Sequence, residues 1–217
     1  MPLFYQQHIN HYTKLAIWKI EESEAFFSQT VPLQRAITHP HKRLQHLAAR
    51  YLLRFLFPDF PYEEILIADT SKPYIENETY HFSISHCGDY AAAIVSKTER
   101  VGIDIEIPSE KMLKIAHKFI SESEHYDIIQ QKKQHHPTNT KQNFNQLTLI
   151  WCAKETMFKW YGLGNVDFKK MLKTDFTTIN NEGISAASIT INETEIPVDI
   201  HYKLFDKIYL TFLHHNQ

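Results

Sequence analysis

The sequence predicts an α+β fold, because two amphipathic helices, at 41–57 and 147–161, are each embedded among short strand-like segments. Of the 217 residues 43% are hydrophobic and 13% aromatic, which supports a packed core and argues against disorder. The length suits one large domain or two small ones.

The elements follow in chain order. Residues 14–20, Lys-Leu-Ala-Ile-Trp-Lys-Ile, read as a strand, and the acidic run from Glu21 to Glu24 suits the first turn of a short helix. In 41–57 the residues Leu44, Leu47, Ala48, Tyr51, Leu52, Phe55 and Leu56 form one apolar stripe that Pro58 ends. Arg43, His46, Arg50 and Arg54 border that stripe, either as a solvated flank or as a basic edge that meets an anion. Residues 81–85 and 90–96 read as strands around a turn at Cys87-Gly88-Asp89, and Lys97 to Arg100 leads into a third strand, 101–107, ended by Pro108. A helical pattern occupies 111–129 with a break at 121–123. Residues 130–146 contain no acid and almost no apolar residue, which predicts an exposed loop. Helix 147–161 ends at Gly162 and Gly164, and strands are expected at 184–191, 198–204 and 207–214.

Several functional classes are disfavoured. A formal net charge of −2 removes the composition argument for a nucleic-acid partner. Two cysteines, Cys87 and Cys152, cannot build a disulfide framework or a four-thiolate zinc site, and the histidines lack zinc spacing. With neither a signal-like start nor an apolar run long enough to span a bilayer, a soluble cytoplasmic protein without a membrane partner is expected.

Three short stretches carry chemistry. In Val101-Gly102-Ile103-Asp104-Ile105-Glu106-Ile107 the alternation of a strand puts Asp104 and Glu106 on one face. Adjacent carboxylates repel, so the pair invites a shared proton or a divalent metal, unless the acids simply face water. Trp151, Glu155 and Lys159 fall at i, i+4 and i+8 on one helical stripe. A Glu-Lys pair there suits a solvated surface, but the tryptophan beside it favours a cleft. Ser85-His86 ends a strand and opens a turn, as an anion contact or as a turn-stabilising serine with a surface histidine.

Taken together, Phe82-Ser83-Ile84-Ser85-His86, then Gly102-Ile103-Asp104-Ile105-Glu106, then Trp151-Cys152-Ala153-Lys154-Glu155-Thr156-Met157-Phe158-Lys159 resembles the 4'-phosphopantetheinyl transferase superfamily. The length matches its larger, monomeric, two-lobed type. The resemblance covers residues 40–164 and implies two similar lobes related by a pseudo-twofold axis, each a small mainly antiparallel sheet packed on a long helix. We place the division near residue 100, giving lobes 1–100 and 101–217, with coenzyme A in the cleft between them.

The resemblance also implies roles. Asp104, Glu106 and Glu155 match the carboxylates that hold Mg2+, and Glu155 matches the residue expected to act as general base. Glu106 or a metal-bound water is the other candidate acceptor. Lys159 matches a lysine on the phosphates of coenzyme A, Lys154 precedes the glutamate in the same motif and is grouped with the coenzyme A contacts, and Ser85 and His86 match a pair that touches the nucleotide phosphates. Lys72, in Ser71-Lys72-Pro73, looks like the lysine of a Gly-Lys-Pro motif in which Ser71 replaces the glycine, so a differently shaped loop is expected. Arg43 and Arg50 are candidates for the 3'-phosphate from their helical edge, and Glu124 matches an acidic position of the family.

The implied reaction is transfer of 4'-phosphopantetheine from coenzyme A to a serine of an apo acyl or peptidyl carrier protein, releasing 3',5'-ADP. Lys132, Lys133 and Lys141 are candidates for docking an acidic carrier. Two other readings compete: a Mg2+ enzyme acting on another phosphate ester, and a non-catalytic module that binds coenzyme A or a carrier.

Overall fold

The computed structural model describes residues 2–31, 33, 36–124, 140–176 and 178–215, with the side chains of 140–143 outside that description. The chain forms two compact units, 1–105 together with 214–217, and 106–213, so the division falls at Ile105 and Glu106, a few residues beyond the expected connection. Each unit is mixed α and β, with an antiparallel sheet against one long helix, as the sequence predicts.

In the first unit the strands β1 (Leu3–His8), β2 (Thr13–Lys19), β6 (Tyr90–Ser96) and β5 (His81–Cys87) lie side by side in that order, all antiparallel. Helix α1 (Glu24–Ser28) is short, and α2 (Pro40–Leu56) begins with Pro40 behind His39, whose Nδ1 accepts from the Lys42 amide. Proline suits the first turn because its missing N–H has no helical partner to lose. Central strand β6 carries Ala91, Ala92 and Ala93, all fully buried, and α2 answers with Ala48 and Ala49. These small side chains let helix and sheet approach closely, while Leu47, Leu52, Leu53, Phe27 and Phe60 fill the space around the contact. The rings of Tyr51 and Phe55 then pack on Trp18 at 5.2 and 5.6 Å.

A two-stranded ribbon, β3 (Leu66–Ile67) with β4 (Pro73–Tyr74), leads into β5. Between its strands Ser71 adopts φ 66°, the left-handed region that glycine favours, and its amide donates to the Ala68 carbonyl at 2.8 Å. Strand β7 (Arg100–Glu106) passes beside β5, where the amides of Ile103 and Ile105 donate to Ser83 Oγ and Ser85 Oγ at 3.2 and 3.4 Å.

In the second unit α3 (Lys111–Ile115) continues as a 3-10 turn at Ala116–Lys118, and the remainder of the expected helix beyond 124 lies outside the described residues. So do 130–139 of the expected loop, including Lys132 and Lys133, and the side chain of Lys141. The last part of that loop is instead helical, since α4 spans Thr140–Tyr161. The apolar stripe of α4 starts with half-buried Phe144 and buried Leu147, which extends the helix through a polar stretch that reads as loop by composition. Gly162 ends it at φ 76°, its amide bonded to the Phe158 carbonyl at 2.9 Å.

Strands β8 (Leu172–Thr174), β9 (Glu182–Ile191), β10 (Thr194–Leu204) and β11 (Tyr209–His215) complete the unit, with β9 between β8 and β10, and β10 between β9 and β11. Asn192 and Glu193, both at positive φ, make the two-residue turn that sets the long β9–β10 register. Ile150, Ala153, Met157 and Trp160 of α4 pack against Leu172, Ile189, Ile200 and Leu213.

A left-handed conformation costs a non-glycine residue about 1 kcal/mol or more. Ser71→Gly is therefore expected to raise unfolding free energy by about 1 kcal/mol, measured by urea denaturation; an unchanged midpoint would mean that no strain resides at this position.

Candidate active site

Helix α4 separates its residues cleanly by burial. Cys152, Ala153, Lys154, Thr156, Met157 and Trp160 are buried, whereas Trp151, Glu155, Phe158 and Lys159 are half-buried. The stripe predicted from the i, i+4, i+8 spacing is thus the face of α4 that is not sealed into the core.

Its first residue reaches Glu106. Trp151 Nε1 donates to Glu106 Oε1 at 3.0 Å, and the indole is held by the rings of Phe119 at 5.1 Å and Phe168 at 5.5 Å. Asp104, two residues earlier on β7, is 3% exposed and accepts from Ser85 Oγ at 2.6 Å. Each β7 carboxylate thus accepts a hydrogen bond from a neutral donor, Asp104 from a hydroxyl and Glu106 from an indole.

Ser85 is buried and gives its proton to Asp104, so its observed action is on the carboxylate, while His86 beside it is exposed. The indole bond of Trp151 was not legible in the sequence. The i, i+4 stripe names the residue but says nothing of a partner 45 positions away.

Two sets of residues expected at coenzyme A have partners within the chain. Lys154, grouped with the coenzyme A contacts, has no exposed side-chain surface. Its ammonium donates to Glu124 Oε2 at 2.7 Å, to the Phe119 carbonyl at 2.7 Å and to the Phe168 carbonyl at 2.9 Å, which uses all three N–H groups. Burial pulls its pKa below the ordinary lysine value, against the opposing charge of Glu124. Glu124 also accepts from the amide and hydroxyl of Ser121 and from the amide and hydroxyl of Thr174. This is a structural ion pair, and it accounts for the acidic residue at 124.

The arginines of α2 likewise have partners within the chain. Arg43 Nε donates to both carboxylate oxygens of Glu24 at 2.8 Å and Nη1 to the Ile37 carbonyl, tying α2 to α1. Arg50 is buried at 7% exposure, with Nη1 bonded to His46 Nδ1 at 3.0 Å. The basic edge read from the helical spacing is thus partly a core edge, at His46 and Arg50.

Lys72 is half-buried, and its pKa falls to about 8 because burial and the nearby Arg100 charge both disfavour the ammonium.

Among the described residues no group of three or more His, Cys, Asp or Glu side chains stands gathered as a metal site. The donors of β7 nonetheless suit Mg2+, a hard cation that keeps several waters and usually takes one or two carboxylates plus substrate phosphates.

Removing one member of a buried ion pair strands the other charge. Lys154→Met is expected to cost about 3 kcal/mol or more of stability in urea denaturation; full stability in this variant would contradict the buried role.

Comparison with known proteins agrees with the geometry. The 4'-phosphopantetheinyl transferase superfamily matches residues 100–213, just over half of the chain. The 4'-phosphopantetheinyl transferase gsp of Aneurinibacillus migulanus is 35% identical over 120 residues, covering 54% of this chain and 46% of the relative. The 4'-phosphopantetheinyl transferase psf-1 of Bacillus pumilus is 28% identical over 124 residues, 56% of this chain and 49% of the relative. Enterobactin synthase component D of Escherichia coli O157:H7 is 25% identical over 181 residues, 81% of this chain and 78% of that protein. The chain thus spans about half the length of the first two relatives and more of the third. No described helix is long and apolar enough to cross a membrane. With Asp104 and Glu106 on β7 and the Trp151–Lys159 stripe on α4 both inside the matched region, the chain belongs to the 4'-phosphopantetheinyl transferase superfamily.

Proposed function

We propose that this protein transfers the 4'-phosphopantetheine group of coenzyme A to a serine hydroxyl of an apo acyl or peptidyl carrier protein. The observation that carries the reading is the half-buried face of α4, which presents Glu155 and Lys159 beside a tryptophan bonded to Glu106. Family membership and the names of the relatives support it.

The serine oxygen forms a bond to the phosphorus that bears pantetheine, and the bond from that phosphorus to the bridging oxygen breaks. The leaving group is 3',5'-ADP, which takes the electron pair. Glu155 accepts the hydroxyl proton, because a serine is a weak nucleophile until a base is within reach. Lys159, one helical turn further on, places a positive charge against the phosphates as negative charge moves toward the leaving group. Asp104, Glu106 and Glu155 supply hard oxygen donors for Mg2+, with Ser85 and Trp151 fixing the first two. When bound, Mg2+ supplies Lewis-acid polarisation of the phosphoryl oxygens. His86 and Lys72 are assigned to the nucleotide phosphates.

Intact-mass spectrometry of apo carrier proteins incubated with this protein, coenzyme A and Mg2+ is expected to show a gain of one phosphopantetheine that EDTA abolishes. Glu155→Gln should lose most of that turnover while still binding coenzyme A, since a base acts in the transition state. Binding of coenzyme A without a product on any carrier would favour a binding module instead.

Trp151→Phe keeps the ring and deletes the donor to Glu106. Losing a partner behind a metal ligand typically costs about tenfold or more in affinity, so the Mg2+ concentration for half-maximal transfer should rise about tenfold. An unchanged Mg2+ dependence would separate Trp151 from the metal.

A further inference from the structure

We propose that Phe168 is a positioning residue for Glu106, acting through the indole of Trp151. The proposal deepens the functional reading above and rests on it for the nature of the cation that Glu106 would meet. Phe168 lies outside the Asp-x-Glu and Trp-x-x-Lys-Glu stretches, so no motif names it.

The inference starts at the indole. Trp151 Nε1, the one polar atom of its side chain, donates to Glu106 Oε1 at 3.0 Å. Because that N–H lies in the ring plane, the placement of the ring sets the line of the bond. Trp151 is half-buried, so its ring depends on a few neighbours for its place. The Phe168 ring stands 5.5 Å away between centroids, inclined at 31°, and the Phe119 ring 5.1 Å away at 60°. Both separations fall in the range where aromatic rings attract. Two rings at different inclinations leave the indole little room to turn.

Phe168 is itself tied down. It lies in a turn between α4 and β8, where a ring keeps its place only if the backbone is held. Its carbonyl accepts from Lys154 Nζ at 2.9 Å, and its ring packs on Phe158 of α4 at 5.6 Å. Asp167 closes the turn: its Oδ1 accepts from the amides of Lys169 and Lys170 at 2.9 and 3.2 Å, and its carbonyl accepts from the Met171 amide at 2.8 Å. Phe119 is anchored in the same way, with its carbonyl 2.7 Å from Lys154 Nζ and its side chain fully buried. One buried ammonium thus holds the backbones of both rings that pack on Trp151.

The consequence falls on the carboxylate. A donor behind a metal ligand positions it well only when the donor's own rotamer is locked by packing. The contacts running from Lys154 through Phe168 to Trp151 supply that lock within the second unit, since every member lies between 106 and 213. Without the Phe168 ring the indole is freer to swing, and its N–H spends less time on Glu106.

Proton–nitrogen correlation NMR of the indole N–H groups, with Mg2+ titrated in the presence and absence of coenzyme A, tests the proposal on wild type, Phe168→Leu and Phe168→Tyr. Three tryptophans give three indole signals, and Trp151→Phe identifies the Trp151 signal by its loss. The wild-type Trp151 signal is expected to move as Mg2+ is added. Phe168→Leu keeps the carbonyl that Lys154 uses and removes the ring, so the Trp151 signal should shift upfield as its hydrogen bond weakens. The Mg2+ concentration at the midpoint should rise about threefold to tenfold, the span of one aromatic contact. Phe168→Tyr, which keeps the ring, should behave as wild type. Val198→Ala, a core truncation on β10, should leave both readouts unchanged and so separates positioning from loss of stability. An unmoved Trp151 signal or midpoint in Phe168→Leu, an equal response in Val198→Ala, or a wild-type signal indifferent to Mg2+ would overturn the proposal. If wild type still modified a carrier protein in that case, the transferase reading would stand alone. The expected responses without transfer to any carrier would keep Phe168 as a positioning residue of a cation site and remove the transferase reading.

Discussion

A lysine ammonium without exposed surface is the constraint on which the second unit depends. Moving Lys154 out of water costs several kcal/mol, and the cost is offset only where hydrogen-bond acceptors converge with good geometry. The carbonyls of Phe119 and Phe168 and the carboxylate of Glu124 do so from separate segments of chain. Glu124 then binds Ser121 and Thr174, which brings the end of β8 into the same network. An apolar side chain at 154 could pack in many ways. An ammonium with three directed donors fixes the rotation and register of α4, because any slip would leave a buried charge short of a partner.

That rotation decides what α4 offers on its other face. With Lys154 turned inward, the 100° step of the helix carries Trp151, Glu155 and Lys159 away from the core together. The acids of β7 are treated in a different way from Glu124. Asp104 is held by a hydroxyl and Glu106 by an indole, donors that orient without adding positive charge. Glu124, by contrast, is joined to a lysine with no exposed surface. The donors that acidic side chains meet thus differ between the interior of the second unit and β7.

This contrast also explains what could be read from the sequence. Helices α2 and α4 and strand β7 were legible because each carries a strong period: the 3.6-residue stripe from Leu44 to Leu56, the Trp151–Glu155–Lys159 spacing, and the alternation of isoleucines with Asp104 and Glu106. The intramolecular partners of Lys154, Arg43 and Arg50 were not legible, since a charged residue on a helix edge looks the same whether it meets water or another side chain. Glu24 and Glu124, which decide the matter for Arg43 and Lys154, lie 19 and 30 residues away. The short strands β3, β4 and β8 escaped because two or three residues are too few to show alternation. The extension of α4 to Thr140 escaped because its first turn is polar and the buried stripe begins only at Phe144.

The first unit accepts unfavourable terms at both ends of β7. Asp104 is a carboxylate at 3% exposure, Ser71 holds a left-handed backbone without being glycine, and burial, with the Arg100 charge, lowers the pKa of Lys72 to about 8. None of these choices maximises stability, and each would be removed by a simple substitution. They are tolerable because the contact of α2 with the alanine strand β6 is closely packed and fully buried.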